Sequence, residues 1–332
     1  MLNKDLKLNE KMFDEDVEKI ATRTGYGEGL VLLGDKDENV VVLSADLTES
    51  TKSNKFAEKF PQRFFEMGVA EQNMAAVAAG LGVSGKTAFI SSYATFSPGK
   101  NLETLRTTTV YNNANVKIAG HHAGLMTGPD GATHQATEDL AIVRSWPKMN
   151  VVVPCDALQA KLATIYSGQK YGPFYLRFTR DNTPIMTTEN TPFEFGKAQT
   201  FWISKNPQVV IFATGYMLFH ALTAAKELEK EGVNILVTNI HTIKPIDEVT
   251  IIEQAEITGA VVSVEDHQVD GGFGSAIAEV LSKNHPTPQE FIGLQNTFGE
   301  SGKIDELLTK YKMDKNAIKK AVLKAIRRKT KN

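Results

Sequence analysis

The sequence predicts an α/β fold of two units, each carrying a mostly parallel sheet, and three observations predict it. From about residue 14 onward, short β-branched runs alternate with helical patterns, as they do where strands of a parallel sheet are joined by crossover helices. Between Asp181 and Thr200 the alternation breaks into prolines, threonines and an asparagine, which reads as a connection between domains, and a second alternating series follows. The length of 332 residues is that of about two domains. The expected division is a first unit over 14–190 and a smaller second unit over 191–332.

Within the first unit, Val40 to Leu43 is an apolar β-branched run and reads as a strand. Ala70 to Gly82 is an apolar helix that is small on nearly every face, with Ala75, Ala76, Ala78, Ala79 and Gly80. Such a helix can approach another backbone closely, so it is expected at a subunit interface. Thr87 to Ser91, Val116 to Ala119 and Asn150 to Val153 are further strands. In the second unit the expected order is a strand at Gln208 to Ala213, a helix at Leu218 to Glu231, and strands at Asn234 to Thr238 and Ala260 to Val264. The basic stretch from Lys319 to Lys331 reads as a solvated terminal helix.

Composition narrows the function classes. Lys and Arg number 37 against 39 Asp and Glu, and the net charge of −2 gives no electrostatic reason to expect nucleic acid or an acidic membrane surface. Cys155 is the single cysteine, which excludes an intrachain disulfide, argues against a cysteine-based zinc site and suits a reducing, cytoplasmic compartment. The N-terminus lacks the apolar core of a signal peptide, and no run approaches the length a membrane span requires.

The segment richest in chemistry is Gly120 to Gln135, with three histidines, one aspartate and four glycines. It is too rich in glycine to be expected as a helix. It follows the strand ending at Ala119 and precedes a helical pattern beginning near Ala136, which places it in the crevice where open α/β sheets bind ligands. A lone histidine would be read as solvated; three imidazoles and a carboxylate in one loop point to a site. Upstream, Glu71 opens the apolar helix, so its carboxylate is expected to be buried and either paired or acting as a helix cap. Tyr93 and Phe96 stand three apart at the mouth of the strand at Thr87, a pair that by itself is more often core than a cofactor shelf.

Taken together these segments resemble the transketolase family of thiamine diphosphate enzymes. The resemblance runs from about Arg23 to the C-terminus and rests on four motifs in the family's order: Gly-Val-Ala-Glu-Gln-Asn-Met, the aromatic pair, the loop from His122 to Gln135, and Arg-Phe-Thr-Arg ending at Arg180. The resemblance implies that Glu71 hydrogen-bonds N1′ of the thiamine aminopyrimidine and promotes loss of the thiazolium C2 proton, after which the cofactor carries the hard chemistry. It implies that Tyr93 and Phe96 hold the pyrimidine ring and that Asp46 lies near the thiazolium. Asp130 and His134 match positions contacting the sugar donor's hydroxyls, and His122 one at the far end of the substrate channel. Arg23, Ser50 and Arg180 match phosphate-binding positions. His121 is a further possible channel residue, although the family fixes no histidine there.

The resemblance also implies what is missing. A complete enzyme of this class carries a diphosphate-binding domain in which a Gly-Asp-Gly run and a later asparagine hold Mg²⁺. This chain has no such run; Gly34-Asp35-Lys36 is the nearest approach and reads as a turn before a strand. The chain therefore resembles the C-terminal half of transketolase, the pyrimidine-binding domain plus the C-terminal domain. The expected partner is an N-terminal subunit carrying the diphosphate and Mg²⁺ site, in an α2β2 assembly acting on phosphorylated sugars of pentose phosphate metabolism. Thr242 to Asp247, Glu265-Asp266-His267 and Asp270 to Gly274 match the C-terminal domain, whose expected role is structural. Gly272-Phe273-Gly274 is weak evidence for a dinucleotide loop. Competing readings are half of a 1-deoxyxylulose-5-phosphate synthase, which has an arginine near His122, a 2-oxo acid dehydrogenase β subunit, which lacks the sugar loop, and a non-catalytic regulatory or assembly subunit. Retention of Glu71, Asp130, His134 and Arg180 together opposes the last.

Overall fold

In the computed structural model, which describes residues 1–329, fourteen strands form two large sheets and one two-residue pair among the described residues. In chain order they are β1 (Lys19–Ile20), β2 (Val40–Ser44), β3 (Phe64–Glu66), β4 (Thr87–Tyr93), β5 (Val116–His121), β6 (Asn150–Val152) and β7 (Phe174–Arg177). There follow β8 (Thr183–Pro184), β9 (Gln199–Ile203), β10 (Val209–Ala213), β11 (Ile235–Asn239), β12 (Thr242–Lys244), β13 (Val261–Gln268) and β14 (Gln289–Leu294). The first sheet has the order β12-β6-β7-β5-β4-β2-β3, and the second β14-β13-β10-β11-β9. Every pairing in the large sheets is parallel except those of the edge strands β12 and β9.

The inner strands are buried almost throughout because helices cover both faces, which removes the alternation a half-exposed strand would show. All five residues of β2 and of β10 are buried. The two units nevertheless share elements. Strand β12 leaves the second unit to close an edge of the first sheet, pairing antiparallel with β6. The first thirteen residues do the reverse: Asn3 N–H donates to the Phe201 carbonyl at 2.9 Å, and Leu8 and Met12 are buried in one cluster with Phe201 and Trp202.

Helix α1 (Thr22–Lys36) packs against the helix Ala157–Gly168 so closely that a Cβ on Gly25 would lie 1.9 Å from the Ala157 carbonyl oxygen. That fit fixes Arg23 in the first turn of α1. It also corrects the reading of Gly34-Asp35-Lys36: these residues form the last turn of α1, with Gly34 pressed against Phe56 and Phe60. The terminal helix Lys315–Lys329 is likewise not wholly solvated, since Ile318, Ala321, Val322 and Ala325 bury one face in the second core, while Thr330 to Asn332 lie outside the described residues. Helix α2 (Asn54–Lys59) and helix α3 (Glu71–Val83) complete the frame of the site. Met74, Ala75, Ala78 and Ala79 turn the core face of α3 inward, and Ala76, Val77 and Gly80 are exposed. The helix is thus half-covered by this chain.

Candidate active site

Most of the chemistry-bearing residues stand at the C-terminal ends of the parallel strands. Asp46 and Ser50 follow β2, Tyr93 ends β4, His121 ends β5 with His122 next, and Arg180 lies three residues past β7. This is the crevice that parallel sheets leave for ligands. Two residues join it from helix starts, Arg23 on α1 and Glu71 on α3.

The segment Gly120 to Gln135 is more ordered than a glycine-rich loop. Gly120 and His121 complete β5, and Gly124–Asp130 is a 3-10 helix broken by a kink at Gly128, where φ is 63°. The expectation of no helix fails because the tighter 3-10 winding needs only short runs and tolerates a break at glycine. The helix after it begins at Asp139 rather than near Ala136.

Four rings cluster here. His122, in the left-handed region at φ 53°, stacks on Tyr93 with centroids 3.8 Å apart and planes 23° apart. Tyr93 and Phe96 are nearly parallel at 5.8 Å and 16°, and His134 stands edge-on to Phe96 at 5.5 Å. The Thr133 hydroxyl sits 2.9 Å from His134 Nδ1 and orients the ring. His122 Nδ1 is buried with no hydrogen-bond partner.

A cationic group adjoins the rings. Burial, then the neighbouring Arg180 charge, lowers the Arg23 pKa, and one Arg23 nitrogen donates to the Ser50 carbonyl at 2.7 Å. Burial first, and then Arg23, Arg180 and His134, pull His122 down to about 3, so its imidazole is neutral near pH 7. Arg180 Nε is 3.9 Å from an Asp130 carboxylate oxygen, and its Nη1 is 3.2 Å from Asp181. Two guanidiniums beside the neutral His122 imidazole form a place that an anion would stabilise.

His121 is not in the channel as expected. It is fully buried between Tyr26 (4.9 Å) and Phe178 (5.1 Å), neither ring nitrogen has a partner, and burial holds its pKa well below the usual value.

Glu71 is buried as expected, but it does not cap its helix. Its carboxylate pairs with Lys100 Nζ at 2.6 Å. Sequence reading missed Lys100, whose position comes from the turn after the aromatic pair: Lys100 N–H donates to the Phe96 carbonyl, and Asn101 Nδ2 to the Glu71 carbonyl at 3.1 Å. Asp46, at φ 59° and exposed, is held by Glu66, another missed residue. Glu66 accepts from the Asp46 N–H at 2.7 Å and from the Thr48 hydroxyl at 2.7 Å. The ring cluster and the arginines meet directly, whereas Glu71 and Asp46 each sit in a pair of their own.

Gly272-Phe273-Gly274 does not form a nucleotide cradle. The N–H groups of Phe273 and Gly274 both donate to the buried Glu265 carboxylate, at 2.6 and 2.8 Å, so the helix start is already filled by the chain's own acid.

Comparison with known proteins agrees with this architecture. Residues 18–186 match the pyrimidine binding domain of transketolase, and residues 196–318 the transketolase C-terminal domain. A protein of Methanocaldococcus jannaschii described as a transketolase C-terminal section is 42% identical over 309 residues, covering 92% of this chain and 96% of its own. A 6-deoxy-6-sulfo-D-fructose transketolase subunit of a Clostridium species is 36% identical over 96% of this chain and 98% of its own. A solved structure described as a split gene transketolase, an inactive beta4 tetramer, is 44% identical, with a TM-score of 0.86 over 93% of this chain and 99% of its own. The fold and site define a transketolase-type pyrimidine domain joined to its C-terminal domain. The chain belongs to the transketolase family and is a split-transketolase-like subunit. No helix among the described residues is long and apolar enough to cross a membrane.

Proposed function

We propose that this chain is the C-terminal subunit of a two-chain transketolase that moves a two-carbon ketol unit between phosphorylated ketoses and aldoses. The observation that carries the reading is the Arg23 and Arg180 pair set against the Tyr93, Phe96, His122 and His134 rings, an anion site joined to an aromatic shelf. The donor set also fits thiamine diphosphate. Two near-parallel rings suit a flat heterocycle, and a buried carboxylate suits a protonatable ring nitrogen. When bound, that cofactor supplies the carbon nucleophile that adds to the sugar carbonyl.

This chain's residues then divide the work. Tyr93 and Phe96 hold the pyrimidine plane, and Glu71 holds a proton at its ring nitrogen once its carboxylate exchanges Lys100 for the cofactor. Asp46 takes the thiazolium side. His134 and Asp130 orient the donor hydroxyls, with His122 deeper beside the arginines. Neutral His122 can accept or donate a hydrogen bond without competing with the guanidiniums for the anion. Arg23, Ser50 and Arg180 hold the phosphate end. The diphosphate and Mg²⁺ ligands come from an N-terminal partner subunit, in an assembly of two copies of each chain, and the C-terminal-section description of the relative supports that division. The 6-sulfo sugar named for the Clostridium relative is a reason to try sugars with a tetrahedral anion other than phosphate as substrates.

The test is reconstitution. The purified chain alone is expected to show no ketol transfer, and addition of the partner subunit found with it in its native source restores activity. Mg²⁺-dependent turnover by a demonstrably partner-free preparation refutes the two-chain reading.

A further inference from the structure

The loop that carries Asp130 and His134 is held from the second unit. The 3-10 helix Gly124–Asp130 begins after Ala123, a residue whose side chain cannot cap, so its first N–H groups need an acceptor from elsewhere. Asp266 on β13, 3% exposed, provides it: one carboxylate oxygen accepts from the Leu125 N–H at 2.9 Å, the other from the Met126 N–H at 3.4 Å. Gly124 leaves the room. At its φ of 72°, a Cβ there would lie 2.0 Å from Asp266 Oδ2.

The same strand is tied to the far end of the loop. Arg177 Nη2 donates both to the Asp266 carbonyl at 2.9 Å and to the Ala136 carbonyl at 3.1 Å, and Arg177 is itself fixed by the buried Asp139 at 2.8 Å. The Gln268 N–H donates to the Thr137 carbonyl at 2.8 Å. Beyond β14, Gln135 Nε2 donates to the Glu300 carbonyl at 3.0 Å, and Ser301 Oγ occupies the space a Cβ on Gly131 would take.

We infer that Asp266 is a positioning residue of the sugar site: its carboxylate caps the 3-10 helix across the domain boundary and sets where Asp130 and His134 present themselves. The second unit thereby acts on catalysis through the loop and not through assembly alone. This rests on the reading of Asp130 and His134 as sugar contacts. A side-chain acceptor on a helix start holds its first turn, and a loose loop lowers the share of molecules in the reactive arrangement.

The experiment follows amide hydrogen exchange of the 121–135 peptide in the full chain, with no partner needed. It then follows sugar kinetics and thiamine diphosphate affinity in the reconstituted enzyme. Asp266→Ala is expected to speed exchange in that peptide at least tenfold while core strands such as β2 and β10 stay protected. In the reconstituted enzyme it lowers kcat/KM for the sugar donor by at least tenfold with thiamine diphosphate affinity within about twofold. Asp266→Asn, which keeps one oxygen acceptor, restores most of both. Gly124→Ala forces the same contact apart from the loop side and reproduces the effect should Asp266→Ala fold poorly. Unchanged exchange of the loop in both Asp266→Ala and Gly124→Ala overturns the proposal, as does exchange raised equally throughout the chain in both. Loop exchange raised with sugar kinetics intact overturns the assignment of this loop to the sugar, and with it the catalytic role given to Asp266.

Discussion

Replacing the two arginines one at a time separates anion recognition from support of the site, because the structure gives them unequal surroundings. Arg23 is half-buried, it already donates to the Ser50 carbonyl, and its Nε is buried with no partner. Desolvation strengthens whatever charge-assisted bond it makes. Arg180 is 29% exposed and shares its charge with Asp130 and Asp181, so solvent and those carboxylates discount it. Hydrogen bonds to charged groups contribute roughly 1.5–3 kcal/mol, which puts Arg23 near the upper end and Arg180 near the lower. With about 1.4 kcal/mol for each factor of ten, Arg23→Ala is expected to weaken phosphorylated sugar by about a hundredfold and Arg180→Ala by about tenfold. The assay is kcat/KM of the reconstituted enzyme on a phosphorylated ketose, on a sulfonated one and on an unphosphorylated one. The loss is expected in KM with kcat nearly kept, the mark of binding shared by ground and transition states. Arg→Lys at either position keeps the charge but loses the planar fork, so it recovers only part. Equal losses on charged and uncharged sugars would refute the reasoning, since the arginines would then support the pocket and not read the anion.

Glu71→Gln keeps the size of the side chain and removes the acid, so turnover in the assembled enzyme is expected to fall by about 10² or more with thiamine diphosphate affinity held within a few-fold; near-normal turnover removes Glu71 from proton handling. Acid should also weaken the fold. Burial lowers His122 to about 3 and His241 and His267 to about 4, so below the unfolded value of 6.5 the unfolded chain binds more protons, and stability present above pH 6.5 is lost as the pH falls. Burial raises Glu265 to about 8, which has the opposite sign, because its cost is relieved as the pH falls from 8. Between pH 7 and 5.5 these three histidines cost roughly 4 kcal/mol and Glu265 returns roughly 2; the buried His121 and His220, also lowered, add to the loss and the buried Asp156 and Asp266, raised, offset part of it, so a net loss is expected in urea titrations. Glu265→Gln should make that loss steeper; a shallower one contradicts the assignment.

What was legible in the sequence follows the range of the interactions involved. Strands such as Val40 to Leu43 and Gln208 to Ala213 were readable because an apolar β-branched run reports burial on both faces directly. Tyr93, Phe96, His122, His134 and Arg180 were recognisable in their motifs, and the fold brings them together because the parallel strands they follow all end on one side of the sheet, where the start of α1 adds Arg23. Glycine was misread where tertiary contacts decide its use. Gly34 looked like a turn signal, yet it serves a helix that Phe56 and Phe60 press against. The partners of the site residues were not readable at all. Lys100 reaches Glu71 only because a turn after Phe96 folds back, and Asp266 meets Leu125 from 141 residues away. His121 carried the same local signal as His122, and only the Tyr26 and Phe178 rings tell the buried one from the one at the site.

The arrangement around Glu71 gives a physical reason why this half should not act alone. Its carboxylate is buried, Asn101 fixes the backbone carbonyl of the same residue, and the cation paired with the carboxylate among the described residues, Lys100, is half-exposed and comes from an outer turn. The lysine end of the pair is free to return to water, but a buried carboxylate left unpaired costs about 3–5 kcal/mol, so the pair opens only when another partner takes the place of the lysine. Along α3 and its approach, Val69, Val77 and Val83 are open to solvent, an apolar strip without cover among the described residues. A proton held by a carboxylate does useful chemistry only where water cannot compete for it, and the Glu71 carboxylate, 3% exposed while Lys100 covers it, needs another cover once that lysine leaves. In the proposed assembly the partner subunit supplies that cover together with the diphosphate site, so binding the partner and keeping the carboxylate dry become one event, and activity is expected only when both halves are present.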